Sequence, residues 1–171
     1  FSIWSFSDKL TEDWTKHWTG KNQAMCGMVR VDGKCYRWMS PGLRELPAAE
    51  QVGVRIHPSQ TVYDFVAGGV GLQVSFMCRQ FIGEPDICSR SDTTVRIGAK
   101  SMDGKAHDVQ VYFDCSSELV VDTPSQQVEW SRLSSDSSTT HYLCLWHAGG
   151  VPLNRVGDDH RIDWGRLYLT V

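Results

Sequence analysis

The sequence has no stretch with the properties of an amphipathic helix, because its apolar residues do not recur about every 3.6 residues between helix caps. No apolar run approaches the roughly 18 residues that a membrane-spanning helix needs. Lys and Arg are scattered singly, and the formal net charge is −3. Such a chain has no basic surface for nucleic-acid phosphates or anionic lipids, so we expect neither nucleic acid nor a membrane as a partner.

Sequence motifs of common enzyme and metal sites are also lacking. The sequence contains no P-loop, no Rossmann fingerprint, no GxSxG elbow and no Cys–His signature. Its six cysteines include no CxxC pair, and its six histidines include no HExxH pair. We therefore expect no metal and no cofactor, and the residues alone identify no catalytic group.

The sequence does contain segments in which apolar and polar residues alternate with a period of two. They occur at about eleven places and are rich in Val, Ile, Tyr, Phe and Trp. Many short strands without helices are typical of two packed sheets. We therefore predict an all-β fold, a two-layer antiparallel β-sandwich of supersandwich-like type, formed as a single domain over residues 1–171. The predicted strands are Met25 to Val31, Lys34 to Met39, Val52 to His57, Thr61 to Ala67, Gly71 to Arg79, Thr93 to Ser101, His107 to Asp114, Glu118 to Asp122, Gln127 to Arg132, His141 to His147 and Ile162 to Val171.

Side-chain parity predicts a first hairpin around Asp32-Gly33. A slip of one residue would move every side chain to the wrong face of the sheet. A two-residue type I′ turn pairs Val29 with Tyr36 and Gly27 with Trp38, which brings the apolar faces together. We therefore predict this turn and this register.

The same reasoning at the second Asp-Gly pair favours a three-residue loop from Met102 to Gly104. That loop places Val109 opposite Ile97, whereas a two-residue turn would place Val109 opposite Gly98. We therefore predict a hairpin between these strands, with Gly104 in a left-handed conformation within a bulge.

Cysteine and tryptophan positions leave alternatives open. Cys78 and Cys88 could close the loop between them as a disulfide, but free Cys is also commonly buried, and we expect most of the six to be buried thiols. Of the seven tryptophans, we expect those within strands to be core or interface residues and those near the N-terminus to be freer. The strand set is Trp38, Trp130, Trp146 and Trp164; the N-terminal set is Trp4, Trp14 and Trp18.

The best polar cluster of the sequence lies in the loop before the last strand, where Asp158, Asp159 and His160 are consecutive. Binding and acid–base groups concentrate on loops of rigid scaffolds, so these three residues are our candidates for substrate binding. The simpler alternative is a solvated turn whose charges pair locally, because adjacent carboxylates tend to point apart.

Both ends of the sequence resemble cut points. The chain opens at Phe1 without Met or a targeting segment, and strand-like alternation runs to Val171. We expect the chain to be a piece of a longer protein.

Five sets of segments, taken in order, resemble the N-terminal domain of glutaminase A-like proteins. Their order and spacing make the resemblance specific, and it spans nearly the whole chain. The segments are His17 to Gly20; Gly27 to Lys34 followed by Tyr36 to Trp38; Tyr63 to Phe76 with its Ala-Gly-Gly centre; Asp103 to Lys105 leading to His107 to Asp114; and Gly157 to Asp159 leading to Ile162 to Gly165.

The resemblance implies a β-sandwich that precedes a large helical domain in a secreted or periplasmic protein. It implies that the full-length protein hydrolyses the side-chain amide of L-glutamine to L-glutamate and ammonia, while this region is non-catalytic and inactive alone. We map no catalytic residue of the family onto this sequence, and its six cysteines exceed what the resemblance leads us to expect. Alternatives from other classes are a carbohydrate-binding or accessory sandwich of a polysaccharide-degrading enzyme, which the Trp content favours, and a structural or adhesive domain.

Overall fold

The computed structural model describes residues 3–4, 9–78, 83–134 and 141–171. Within these residues the secondary structure is almost entirely β-strand, as expected, with one short α-helix, α1 (Pro85–Cys88), and one 3-10 helix (Ser117–Leu119). The strands are β1 (Ile3–Trp4), β2 (Lys16–His17), β3 (Met25–Val31), β4 (Lys34–Met39), β5 (Glu50–His57), β6 (Gln60–Ala67), β7 (Val70–Cys78), β8 (Thr93–Ser101), β9 (Val109–Cys115), β10 (Val128–Ser134), β11 (His141–His147) and β12 (Arg166–Thr170).

The chain divides into two compact units. Among the described residues, unit 1 comprises 9–13, 26–78 and 83–113, and unit 2 comprises 3–4, 14–25, 114–134 and 141–171. No helix of the described part is long and apolar enough to cross a membrane.

Unit 1 contains two sheets, one with the strand order β4-β3-β9 and one with the order β5-β6-β7-β8. The fully buried Trp38 on β4 joins them, since its ring contacts Phe113 on β9 and Phe65 on β6, with centroids 6.0 and 6.2 Å away. Val29 and Leu72 are also at most 2% exposed. Burying each such side chain contributes about 1.5–3 kcal/mol to the stability of the folded state, so this core stabilises the sandwich. The predicted two-layer β-sandwich is confirmed.

The β3–β4 hairpin forms as predicted at its turn but not at its far end. Val29 lies opposite Tyr36, and the turn residues Asp32 and Gly33 have φ values of 49° and 85°, as a type I′ turn requires. Gly27, however, lies opposite Met39, because the register shifts between Gly27 and Met28. The extra residue on β4 is Trp38, whose indole lies against Gly27.

The predicted hairpin between β8 and β9 is wrong. β8 pairs with β7, where Ile97 lies opposite Val74, and β9 joins the other sheet beside β3. Side-chain parity could not identify the strand that pairs with β9, because Val109 would face apolar side chains on either candidate strand. The connection after β8 therefore crosses from one sheet to the other, although Gly104 is left-handed as predicted, with φ 77°.

Unit 2 contains the two-stranded sheet β1-β2 and the three-stranded antiparallel sheet β10-β11-β12. The strand predicted from Glu118 to Asp122 is wrong, because a 3-10 helix occupies its first residues. The Ser116 side chain caps this helix by accepting a hydrogen bond from the Glu118 amide at 3.2 Å. The last strand is also shorter than predicted and begins at Arg166.

Candidate functional site

The densest polar cluster of unit 2 surrounds the carboxylate of Asp122, whose side chain is only 3% exposed. Its Oδ1 accepts hydrogen bonds from Lys21 Nζ and from the Arg161 amide, both at 3.0 Å. Its Oδ2 accepts from Arg155 Nη1 at 3.1 Å and lies 3.0 Å from His160 Nδ1. One carboxylate therefore ties together the segment after β2, the segment after the 3-10 helix and the loop before β12.

The electrostatics of Asp122 reflect this coordination. Burial alone would raise the pKa of Asp122, but hydrogen bonds from the Arg161 amide, His160 and Lys21 outweigh it and hold the pKa far below its usual range. The carboxylate is thus held in its charged form near neutral pH, and its two oxygens are occupied by contacts with Lys21, the Arg161 amide, Arg155 and His160.

Arg161 completes the Asp122 cluster. The residue is 5% exposed, and its guanidinium donates hydrogen bonds to the backbone carbonyls of Asp122, Asn22 and Glu118. A buried guanidinium bonded to main-chain oxygens fixes loop conformation. The cluster therefore acts as a structural pin for its three segments.

Of the three predicted binding residues, His160 contributes its side chain to this cluster and Asp159 only its backbone. All three residues are exposed; the His160 side chain contacts Asp122, and Asp159 contributes its backbone carbonyl, which accepts from Lys21 Nζ at 2.8 Å. The structure thus brings His160 to a distant carboxylate and not to its two acidic neighbours. Sequence reasoning missed Asp122 because it was assigned to a strand.

A second cluster lies in unit 1 around His107, whose side chain is 8% exposed. Its Nδ1 lies 2.7 Å from Asp32 Oδ2, and its Nε2 lies 2.9 Å from Asp103 Oδ1. Gly69 closes the site, because a Cβ at that position would lie 2.9 Å from Asp103 Oδ2 and 3.3 Å from His107 Cε1. Three turns therefore meet at one imidazole.

A cleft of about 520 Å³ in unit 2 is lined by Trp14, Glu118 and Gln126 among others. Two polar side chains that line this cleft, Glu118 and Gln126, are bonded to the protein itself. Glu118 Oε2 accepts from the Ala24 amide and the Ser116 hydroxyl, both at 3.0 Å, and Gln126 Oε1 accepts from the Asp122 amide at 2.6 Å. The cleft shape is therefore held by internal bonds.

The sheet β10-β11-β12 carries a row of apolar side chains on one face, of which Trp130 and Leu143 are exposed and the others half-buried. Trp130, Leu145 and Leu167 are cross-strand neighbours on one face, and Leu143 and Leu169 form the next apolar pair there. Trp130 is 69% exposed and Leu143 is 44% exposed. Among the strand tryptophans, Trp38 is thus a core residue, whereas Trp130 is not.

The remaining tryptophans and the cysteines are mostly at or near the surface. Trp18 and Trp164 are 55% and 40% exposed.

All six cysteines are free thiols, of which only Cys144 is buried, so the expectation that most are buried is wrong. Cys78 and Cys88 are exposed and unbridged. Within the described residues, no group of three or more His, Cys, Asp or Glu side chains could hold a metal ion.

Fold and clusters together define a β-sandwich protein whose polar networks fix its loops. Residues 59–171, more than half of the chain, match the family described as "Domain of unknown function (DUF5127)", and residues 1–51 match "Domain of unknown function (DUF4964)". The chain therefore belongs to the DUF5127 family.

One curated relative extends this assignment. The chain is 26% identical over 163 residues to "Glutaminase A" of Aspergillus oryzae (strain ATCC 42149 / RIB 40), a match that covers 93% of this chain and 23% of that protein. The chain thus spans less than a quarter of the length of this relative. No solved structure matches the chain. The similarity supports a distant relationship to glutaminase A, in line with the resemblance found in the sequence.

Proposed function

We propose that this chain is the non-catalytic N-terminal β-sandwich region of a glutaminase A-like enzyme. In this proposal the full-length protein is secreted or periplasmic and hydrolyses the side-chain amide of L-glutamine to L-glutamate and ammonia without a cofactor. The observation that carries the proposal is the match between nearly all of this chain and a 23% share of a protein named Glutaminase A. Most of that protein lies outside the match, and we expect the catalytic residues to lie in the corresponding part of the full-length protein.

The bonding of the polar clusters supports a non-catalytic role. The carboxylate of Asp122 has its acceptor positions filled, and His107 lies between two carboxylates. Groups that work as general acids or bases need a free position within hydrogen-bond reach of a substrate atom. Both clusters are instead occupied in joining segments of their own unit.

The exposed apolar row on β10-β11-β12 supports a docking role. An exposed face that carries Trp130 and Leu143 costs free energy in water and is typical of an interface between domains. The occupant that we propose is the helical domain of the same polypeptide, because the relative is several times longer than this chain. Nucleic acid and membrane are not partners in this proposal.

An activity assay tests the proposal. Residues 1–171 alone should release no ammonia from L-glutamine above background, whereas the same residues expressed with their downstream helical region should do so. Clear turnover by residues 1–171 alone would contradict the non-catalytic assignment.

A pair of surface variants tests the docking face. Trp130→Ser should weaken binding of the separately expressed helical region to residues 1–171, whereas Tyr168→Ser should not. Tyr168 is a matched control, because it is 53% exposed and lies on the opposite face of the same sheet. Equal binding by both variants would show that this face is not the docking surface.

The second candidate function is carbohydrate binding, which the exposed rings of Trp18, Trp130 and Trp164 favour, since exposed indoles stack on sugars. Retention of residues 1–171 on a polysaccharide column, lost in a Trp18→Ala or Trp130→Ala variant, would favour this function over the glutaminase assignment.

A further inference from the structure

The His107 cluster unites three turns that the sequence sets apart. The β3–β4 turn supplies Asp32, the β6–β7 turn supplies Gly69, and the connection after β8 supplies Asp103 and His107 itself. Further bonds reinforce the junction: the Asp108 amide donates to Asp32 Oδ1 at 2.9 Å, and the Asp32 amide donates to the Asp108 carbonyl at 2.9 Å. The start of β9 is therefore held to the β3–β4 turn.

Counting protons at the imidazole defines its charge. A neutral imidazole carries one N–H donor and one lone pair, whereas an imidazolium carries two donors. Nδ1 and Nε2 of His107 lie 2.7 and 2.9 Å from oxygens of two different carboxylates. A lone pair facing an ionised carboxylate at that distance would be repelled, so this geometry favours a donor at both nitrogens.

We propose that His107 is held as an imidazolium at neutral pH and acts as a latch that joins these three turns, and that loss of its proton releases the Asp103–Asp108 connection between the two sheets. The latch is a pH-dependent conformational device, distinct from the docking face in unit 2 and independent of the proposed glutaminase function.

The two carboxylates around the latch favour the protonated imidazole, and the neighbouring cation, Lys105, opposes it. Hydrogen bonds to Asp32 and then Asp103 raise the pKa of His107, and Lys105, on the same connection as Asp103, has its Nζ 4.0 Å from Asp103 Oδ2. The β6–β7 turn contributes Gly69 and no charge at this point. Because the folded pKa of His107 is raised, its stabilisation is complete below about pH 6.5 and is lost as pH rises through the folded pKa.

The two carboxylates act in the opposite pH range. The hydrogen bond from His107 lowers the pKa of Asp103 to about 2, and the same kind of bond lowers the pKa of Asp32. Their contribution to the stability of the folded state is present above about pH 4 and is lost as pH falls through their folded pKa values. The latch is therefore closed from about pH 4 up to the raised folded pKa of His107 and opens on the alkaline side by deprotonation of His107.

The test is a nitrogen-detected NMR titration of His107 in residues 1–171, combined with amide hydrogen exchange. At pH 7 both ring nitrogens should be protonated, and the midpoint should lie above 6.5. As His107 deprotonates, the Lys105 and Asp108 amides, which donate to Asp103 and Asp32, should lose protection relative to amides of β6. A single protonated nitrogen at pH 7, or unchanged protection across the midpoint, would overturn the proposal.

Two variants keep the test decisive. Asp103→Asn removes one charge but keeps an acceptor oxygen, so the His107 midpoint should fall and the protection should be lost at lower pH. His57→Gln, at an exposed histidine of the same unit, should leave both readouts unchanged. If Asp103→Asn leaves the midpoint where it is in the parent chain, Asp103 does not hold the proton and the latch is wrong.

Discussion

Gly27 lies directly against the indole ring of Trp38, with no room for a Cβ atom between them. Trp38 is fully buried and stacks on Phe113, so its ring cannot move aside without losing core contacts. The contact coincides with the β-bulge between Gly27 and Met28, where Trp38 is the extra residue on β4.

Gly27→Ala should therefore destabilise the chain by about 1–3 kcal/mol, through forced displacement of Trp38. Gly98→Ala is the matched control: Gly98 also lies in a strand, but nothing lies within 4 Å of a Cβ built there. Urea denaturation of both variants measures the difference. Equal midpoints would show that Trp38 has space to move.

The backbone conformation of Gly104 provides a second prediction. Its φ of 77° is left-handed, so Gly104→Val should cost about 1–2 kcal/mol or more, and Gly104→Asn should cost less because Asn tolerates this region better. Lys105→Ala should lie within about 0.5 kcal/mol of neutral, since its side chain is 78% exposed. If thermal denaturation places Gly104→Val beside Lys105→Ala, the left-handed assignment is wrong.

The free cysteines provide a third prediction. Thiol counting on the denatured, non-reduced chain should find six thiols, because all six cysteines are unbridged and the exposed Cys78 lies 3.6 Å from the Thr93 hydroxyl. A count of four would mean one disulfide, with Cys78 and Cys88 as the first pair to examine by peptide mapping. A count of zero would mean three disulfides and would contradict the structure.

Local features of the fold could be predicted from the sequence because they depend on neighbouring residues. The type I′ turn at Asp32-Gly33 and the pairing of Val29 with Tyr36 follow from turn chemistry and parity. The partner of β9 could not be predicted in this way. Either neighbouring strand offers an apolar face, and the choice depends on bonds such as that between Asp32 and Asp108.

The Asp122 cluster could not be predicted for the same physical reason. Lys21 and Asp122 are 101 residues apart in sequence, and His160 is 38 residues from Asp122, so no local pattern links them. The sequence did single out His160 and both Asp-Gly turns. It could not show that His160 faces the buried carboxylate of Asp122.

Asp122→Asn tests the role of that carboxylate as a structural pin. The amide keeps the shape of the side chain but loses the charge that faces Lys21 and Arg155, so the variant should lose on the order of 3 kcal/mol of stability near pH 6. Asp158→Asn, at an exposed neighbour of the same cluster, should change stability by less than about 0.5 kcal/mol.

The pH dependence of this difference follows from the lowered pKa of Asp122. A carboxyl whose folded pKa is depressed contributes stability above its unfolded value of about 3.9 and loses it as pH falls through the folded value. The stability gap between the parent chain and Asp122→Asn should therefore be full at pH 6 and shrink as the solution is acidified below about pH 4. Urea denaturation at both pH values measures the gap, and a gap that grows in acid would show that Asp122 is not held in its charged form.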